Sequence, residues 1–139
     1  MNTNMKAHSA PDFADAARHV AKIAKQNGIK IGSHSSGGEA WRSERVMHIR
    51  PVRSAITYAI ALHEIGHILG RNAKSVLERE GNAWAWAIEN ALHWDTHMTD
   101  TMKGCLFTYY RWLRRRKAKG LRVAEPEKTH SFWKLLGAL

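Results

Sequence analysis

The spacing of hydrophobic residues changes several times along this chain, and each change marks an element. From Asp12 to Asn27, Phe13, Ala17, Val20 and Ala24 recur every three or four residues, the period of an amphipathic helix, and Gly28 ends it. Ile29-Lys30-Ile31 then alternates like a short strand, the Ser-rich run His34 to Gly38 reads as a loop, and Val46 to Arg50 alternates again until Pro51 stops it. Ile56 to Leu69 is apolar around nearly its whole circumference, as a buried helix is; Ser54 is its expected N-cap, and Gly70 stands where a left-handed C-cap would fall. A further helix is predicted over Leu77 to Leu92, with Leu77, Gly81, Trp84, Ile88 and Ala91 as its apolar stripe. Another follows from Met98 to about Lys117, with Met98, Met102, Cys105, Leu106, Tyr109 and Leu113 as a core-facing side.

These elements predict an α+β fold, mostly helical, with a small β-sheet ahead of the buried helix. At 139 residues the chain reads as one domain, residues 1–139, with a tail from about residue 120. Two expectations stand open for that tail, whose Phe132-Trp133-Lys134-Leu135-Leu136 either docks as a short helix or binds a partner.

Cys105 is the one cysteine, which excludes an intramolecular disulfide and a Cys-rich zinc site. The start, Met1 to Ser9, has no apolar signal core, and no run approaches the length of a membrane span, so a reducing cytoplasm is the expected compartment and no membrane partner is expected. The charge is less ordinary. A net +10 and a pI near 10.2 suggest attraction to nucleic acid, an acidic protein or an anionic surface. The cations are densest in Arg111 to Lys119, where a helix C-terminus favours them through its dipole and a nucleic acid would favour them through its phosphates.

The candidate chemistry lies in the buried helix. His63-Glu64-Ile65-Gly66-His67 has the HExxH spacing, which puts two imidazoles on one helix face, able to reach one metal ion, with a carboxylate beside them. Three ionisable groups on an otherwise apolar helix are costly to bury unless they are paired or bound to metal. A catalytic zinc takes three protein ligands, and the helix over Leu77 to Leu92 offers Glu78 and Glu80. At about 100° per residue Glu80 lies at the edge of the apolar stripe, while Glu78 falls on the polar side and fits an S-x-x-E capping box with Ser75. Periodicity therefore favours Glu80, with Gly81 beside it leaving the two helices free to approach. His93 and His97 repeat the i,i+4 spacing, but Asp95-Thr96 between them reads as a helix break.

Residues 60–69 resemble the zincin metallopeptidase pattern, and Glu80-Gly81-Asn82-Ala83-Trp84-Ala85 resembles the E-A-N-x-F-A element of ImmA/IrrE-type proteases, with Gly81 and Trp84 standing where that element has Ala and Phe. The resemblance, which covers roughly residues 46–92, implies a minimal zincin-like fold. It implies His63, His67 and Glu80 as zinc ligands, Glu64 as general base, and a cytoplasmic endopeptidase acting on a regulatory protein of a phage or mobile element. By the same analogy Val46 to Arg50 would be the edge strand that holds an extended substrate. A rival expectation rests on the charge: a basic protein that binds nucleic acid or a regulator, with a structural or inactive zinc site.

Overall fold

The computed structural model describes residues 13–137, so Asp12 and the leading segment Met1 to Ser9 lie outside it. In chain order the elements are α1 (Phe13–Gln26), β1 (Lys30–Ser33), β2 (Gly38–Trp41), β3 (Val46–Ile49), α2 (Ala55–Leu69), α3 (Val76–Asn90), α4 (Thr96–Ala118) and α5 (Ser131–Leu136). The fold is α+β, as the periodicities predict. In α1 the buried residues are Ala16, Val20 and Ala24, so the stripe is centred on Val20 and takes in Ala16, while Ala17 is only half-buried.

The sheet has one strand more than the alternation predicts. Gly38-Glu39-Ala40-Trp41, whose Gly38 reads from sequence as loop, is a strand paired antiparallel with β3, and β1 pairs with β3 in parallel, giving the order β1-β3-β2. The expectation that Val46 to Arg50 is an edge is thereby corrected: β3 is central and bonded on both sides, and β2 is an edge. A four-residue strand with glycine and one exposed tryptophan carries too little alternation to announce itself.

Everything rests on α2. Nine of its fifteen residues are buried, and it contacts α1, β2, β3, α3 and α4; that encirclement is why its sequence is apolar all round. Ser54 caps it, accepting from Thr57 N while Thr57 Oγ1 accepts from Ser54 N. Gly70 closes the helix in an extended conformation (φ −72°, ψ 177°) and not in the left-handed one expected, with its N–H donating to Gly66 O at 2.8 Å.

Tyr58 ties three segments together. Its buried hydroxyl accepts from Leu92 N at 2.9 Å and lies 2.8 Å from His19 Nδ1, joining α1, α2 and the segment after α3.

The close approach of α2 and α3 is made by a different glycine from the one the sequence suggests. A Cβ on Gly66 would lie 2.3 Å from the Ala83 carbonyl oxygen, whereas one on Gly81 would meet the backbone nitrogen of Phe132 at 2.7 Å. Gly81 thus seats α5, whose Phe132 is fully buried, and the docking expectation for the tail is the one realised, with Trp133 Nε1 donating to Pro126 O at 2.9 Å.

Gly66→Ala sets backbone against backbone, where neither partner yields cheaply, and is expected to lower stability by about 1–3 kcal/mol. Gly104→Ala, on an exposed helical site with nothing within 4 Å of the new methyl, is expected to raise it by about 0.5–1 kcal/mol. Urea unfolding of both variants in metal-free buffer checks the pair; a neutral Gly66→Ala would mean that the helices are not held at contact there.

Candidate metal centre

The two histidines of α2 point across the interface at Glu80 of α3. His63 Nε2 lies 2.9 Å from Glu80 Oε1, His67 Nε2 lies 2.7 Å from Glu80 Oε2, and the two Nε2 atoms are 3.1 Å apart. Among the described residues this is a group of three side chains whose ligand atoms converge tightly enough to hold a metal ion. Ligands at about 2.0–2.1 Å from a tetrahedral ion are separated by roughly 3.3 Å, so the triad needs to open by only a few tenths of an ångström to seat one. The donor set, two imidazole nitrogens and a carboxylate, is one that zinc takes readily.

Burial shapes the electrostatics. His63, Glu64 and Glu80 are 8%, 5% and 5% exposed, in a position where an isolated charge would be strongly disfavoured. Burial opposes protonation of His63, but the adjoining carboxylates of Glu64 and Glu80 outweigh it and raise the imidazole to about 9. Burial likewise opposes ionisation of Glu80, yet the hydrogen bonds from His63 and His67 outweigh it and pull the carboxyl down to about 2. A proton on His63 therefore supplies, in the metal-free protein, the positive charge that Glu80 requires.

Trp84 orients this imidazole by stacking on it, with ring centroids 4.2 Å apart and planes at 15°. Sequence reading places Trp84 in the apolar stripe and misses this role. Glu64 is not part of the converging triad: its Oε2 stands 3.4 Å from His63 Nδ1, a buried nitrogen without a hydrogen-bond partner. It faces a cavity of about 480 Å³, shared with the three ligands and lined on the other side by β2. Gly38 of β2 is needed here, because a Cβ at that position would come within 2.8 Å of Glu64 Oε2.

Two further residues reach the cavity from α4, Cys105 and Tyr109. The sequence assigns both to the core, and their neighbours across the cavity belong to elements distant in the chain. Burial pushes the Cys105 thiol up, and the Glu80 and Glu64 carboxylates add to the effect; Cys105 is not one of the side chains that converge in the triad. Burial and the same two carboxylates push the Tyr109 phenol up to about 12, which keeps its O–H a donor.

The remaining candidates lie elsewhere. Glu78 accepts from Ser75 Oγ at 2.7 Å while Ser75 Oγ accepts from Glu78 N at 3.2 Å, so it serves the helix start, through the hydroxyl rather than the Ser75 amide expected of a full capping box. His93 packs against Phe13 and Tyr58, and His97 lies in the exposed first turn of α4; neither joins the triad.

Since a metal ligand must be a neutral imidazole, metal binding at about pH 7.5 is expected to expel about one proton, from His63, and none from the already ionised Glu80. Affinity should rise with pH and level off above about 9. Titration calorimetry with zinc in buffers of different ionisation enthalpy reads the proton directly, and a buffer-independent enthalpy would contradict the protonated His63. Elemental analysis is expected to find one zinc per chain in wild type and Glu78→Ala, and none in Glu80→Ala.

Comparison with protein-family models, with curated proteins and with solved structures finds no match for this chain, so the site stands on its own geometry.

Proposed function

We propose that this chain is a zinc-dependent endopeptidase of the ImmA/IrrE kind, with His63, His67 and Glu80 as metal ligands and Glu64 as general base. The observation that carries this reading is the triad open to a cavity that Glu64 also faces. Three ligands beside an open cavity suit a catalytic ion, whereas a structural zinc is closed by four. Bound there, zinc would bring the pKa of a coordinated water towards about 7 and polarise a carbonyl.

The chain's own groups divide the rest of the work. Glu64 takes a proton at its carboxylate from water in the cavity and returns it to the leaving amine. Tyr109 keeps its phenolic proton and donates it as a hydrogen bond where negative charge develops on the carbonyl oxygen. The backbone edge of β2, from Gly38 to Trp41, has no further strand beside it among the described residues, lines the cavity and can take an extended peptide as an added strand. By the resemblance in the α2 and α3 motifs, the substrate is a regulatory protein of a phage or mobile element and the site of action is the cytoplasm.

Glu64→Gln is expected to keep its zinc and lose at least about 10²-fold in hydrolysis of a quenched-fluorescence peptide library. Undiminished hydrolysis would remove Glu64 from the mechanism. Tyr109→Phe is expected to lower kcat by on the order of 10²-fold at unchanged zinc content, and an unchanged kcat would reduce Tyr109 to a wall of the cavity.

A further inference from the structure

The metal centre leaves the charge of the chain unexplained. Residues 103–124 contain eight Lys and Arg and no Asp or Glu. Most lie on α4, whose buried positions Met102, Leu106 and Leu113 mark its inner side. At about 100° per residue Phe107, Arg111, Arg114 and Arg115 fall on the opposite side, and all four are exposed.

The helix dipole accounts for cations in the last turn, Arg115, Arg116 and Lys117, but its effect fades within one turn and does not reach Arg111. Ion pairing does not account for them either. Among the described residues Lys117 pairs with Glu125 at 2.9 Å, while the ion pairs of the structure include none to Arg111, Arg114 or Arg115. Two of the three guanidinium groups lie against rings instead: Arg111 is 5.3 Å from the centroid of Phe107, and Arg114 is 5.8 Å from that of Tyr110. This arrangement limits the side-chain entropy lost on binding, and apart from the bond of Arg114 Nη1 to the Tyr110 hydroxyl at 3.3 Å it leaves the N–H groups available for phosphate oxygens. Phe107, 47% exposed at the start of the stripe, adds an aromatic ring beside Arg111 against which a base can stack.

We propose that the outward stripe of α4, Phe107-Arg111-Arg114-Arg115, is a nucleic-acid-binding surface that engages the phosphate backbone. Cys105 and Tyr109, on another side of the same helix, line the metal cavity, so nucleic acid and a ligand at the metal centre occupy different faces of α4. The inference is independent of the peptidase reading, since it needs neither the metal nor Glu64.

Fluorescence anisotropy with a labelled duplex of about 20 base pairs and arbitrary sequence tests it, with a single strand of the same length as a second probe. With three to four phosphates neutralised, affinity should fall by on the order of a hundredfold between about 50 and 200 mM salt. The triple variant Arg111→Gln, Arg114→Gln, Arg115→Gln is expected to weaken binding at least tenfold and to flatten the salt slope by about three. A control triple, Lys22→Gln, Lys25→Gln, Lys30→Gln, removes the same charge from exposed sites on α1 and β1 and is expected to cost less than threefold. Tighter binding of the single strand, lost on Phe107→Ala, would assign the ring to base stacking. Equal losses in the two triples would reduce the effect to net charge and overturn the surface. So would absence of binding at low salt, or stripe-dependent binding to phosphatidylserine vesicles that exceeds binding to either nucleic acid.

Discussion

The Glu80 carboxylate, held between two imidazoles at 2.9 and 2.7 Å, is the interaction on which this structure turns. It is buried, ionised and contributed by a different helix from its partners, so it joins α2 to α3 at the place where an uncompensated charge would be least tolerable. Removing one partner of such a group exposes the full desolvation penalty of the other. The converging triad could hold a metal ion in place of the proton on His63, and binding there would couple metal affinity to pH.

That geometry requires the helices to touch. Gly66 lies one residue before His67 and supplies the contact, with the Ala83 carbonyl where its side chain would otherwise be. Three residues to the other side of His63, Ile60 faces the same cavity as the triad, and β2 closes over it with Gly38 against Glu64. Small residues therefore sit wherever the backbone must come near the ionisable groups, and larger ones, Trp84 above all, fix the orientation of those groups.

The outward side of α4 obeys a different constraint. Its inner positions pack against the centre of the protein, and its outer ones include Arg111 and Arg114, which lie against aromatic rings. One helix thus separates the cavity beside the triad from a solvated surface, where charge acts at the range of a Debye length of about 8–10 Å.

Local periodicity was enough to read much of this. The i,i+4 spacing of His63 and His67, the inward position of Glu80 against the outward one of Glu78, the Ser54 cap and the basic run are all properties of a few neighbouring residues on one helix, and a helix imposes its 3.6-residue period whatever surrounds it. What depended on packing between distant segments was not legible. The edge role passed from β3 to β2 because strand order is decided by non-local pairing, and Gly81 gave way to Gly66 because each glycine's neighbour belongs to another element. Tyr109, Cys105 and Trp84 joined the site for the same reason: a side chain's face follows from its own helix, but what it faces follows from the whole fold.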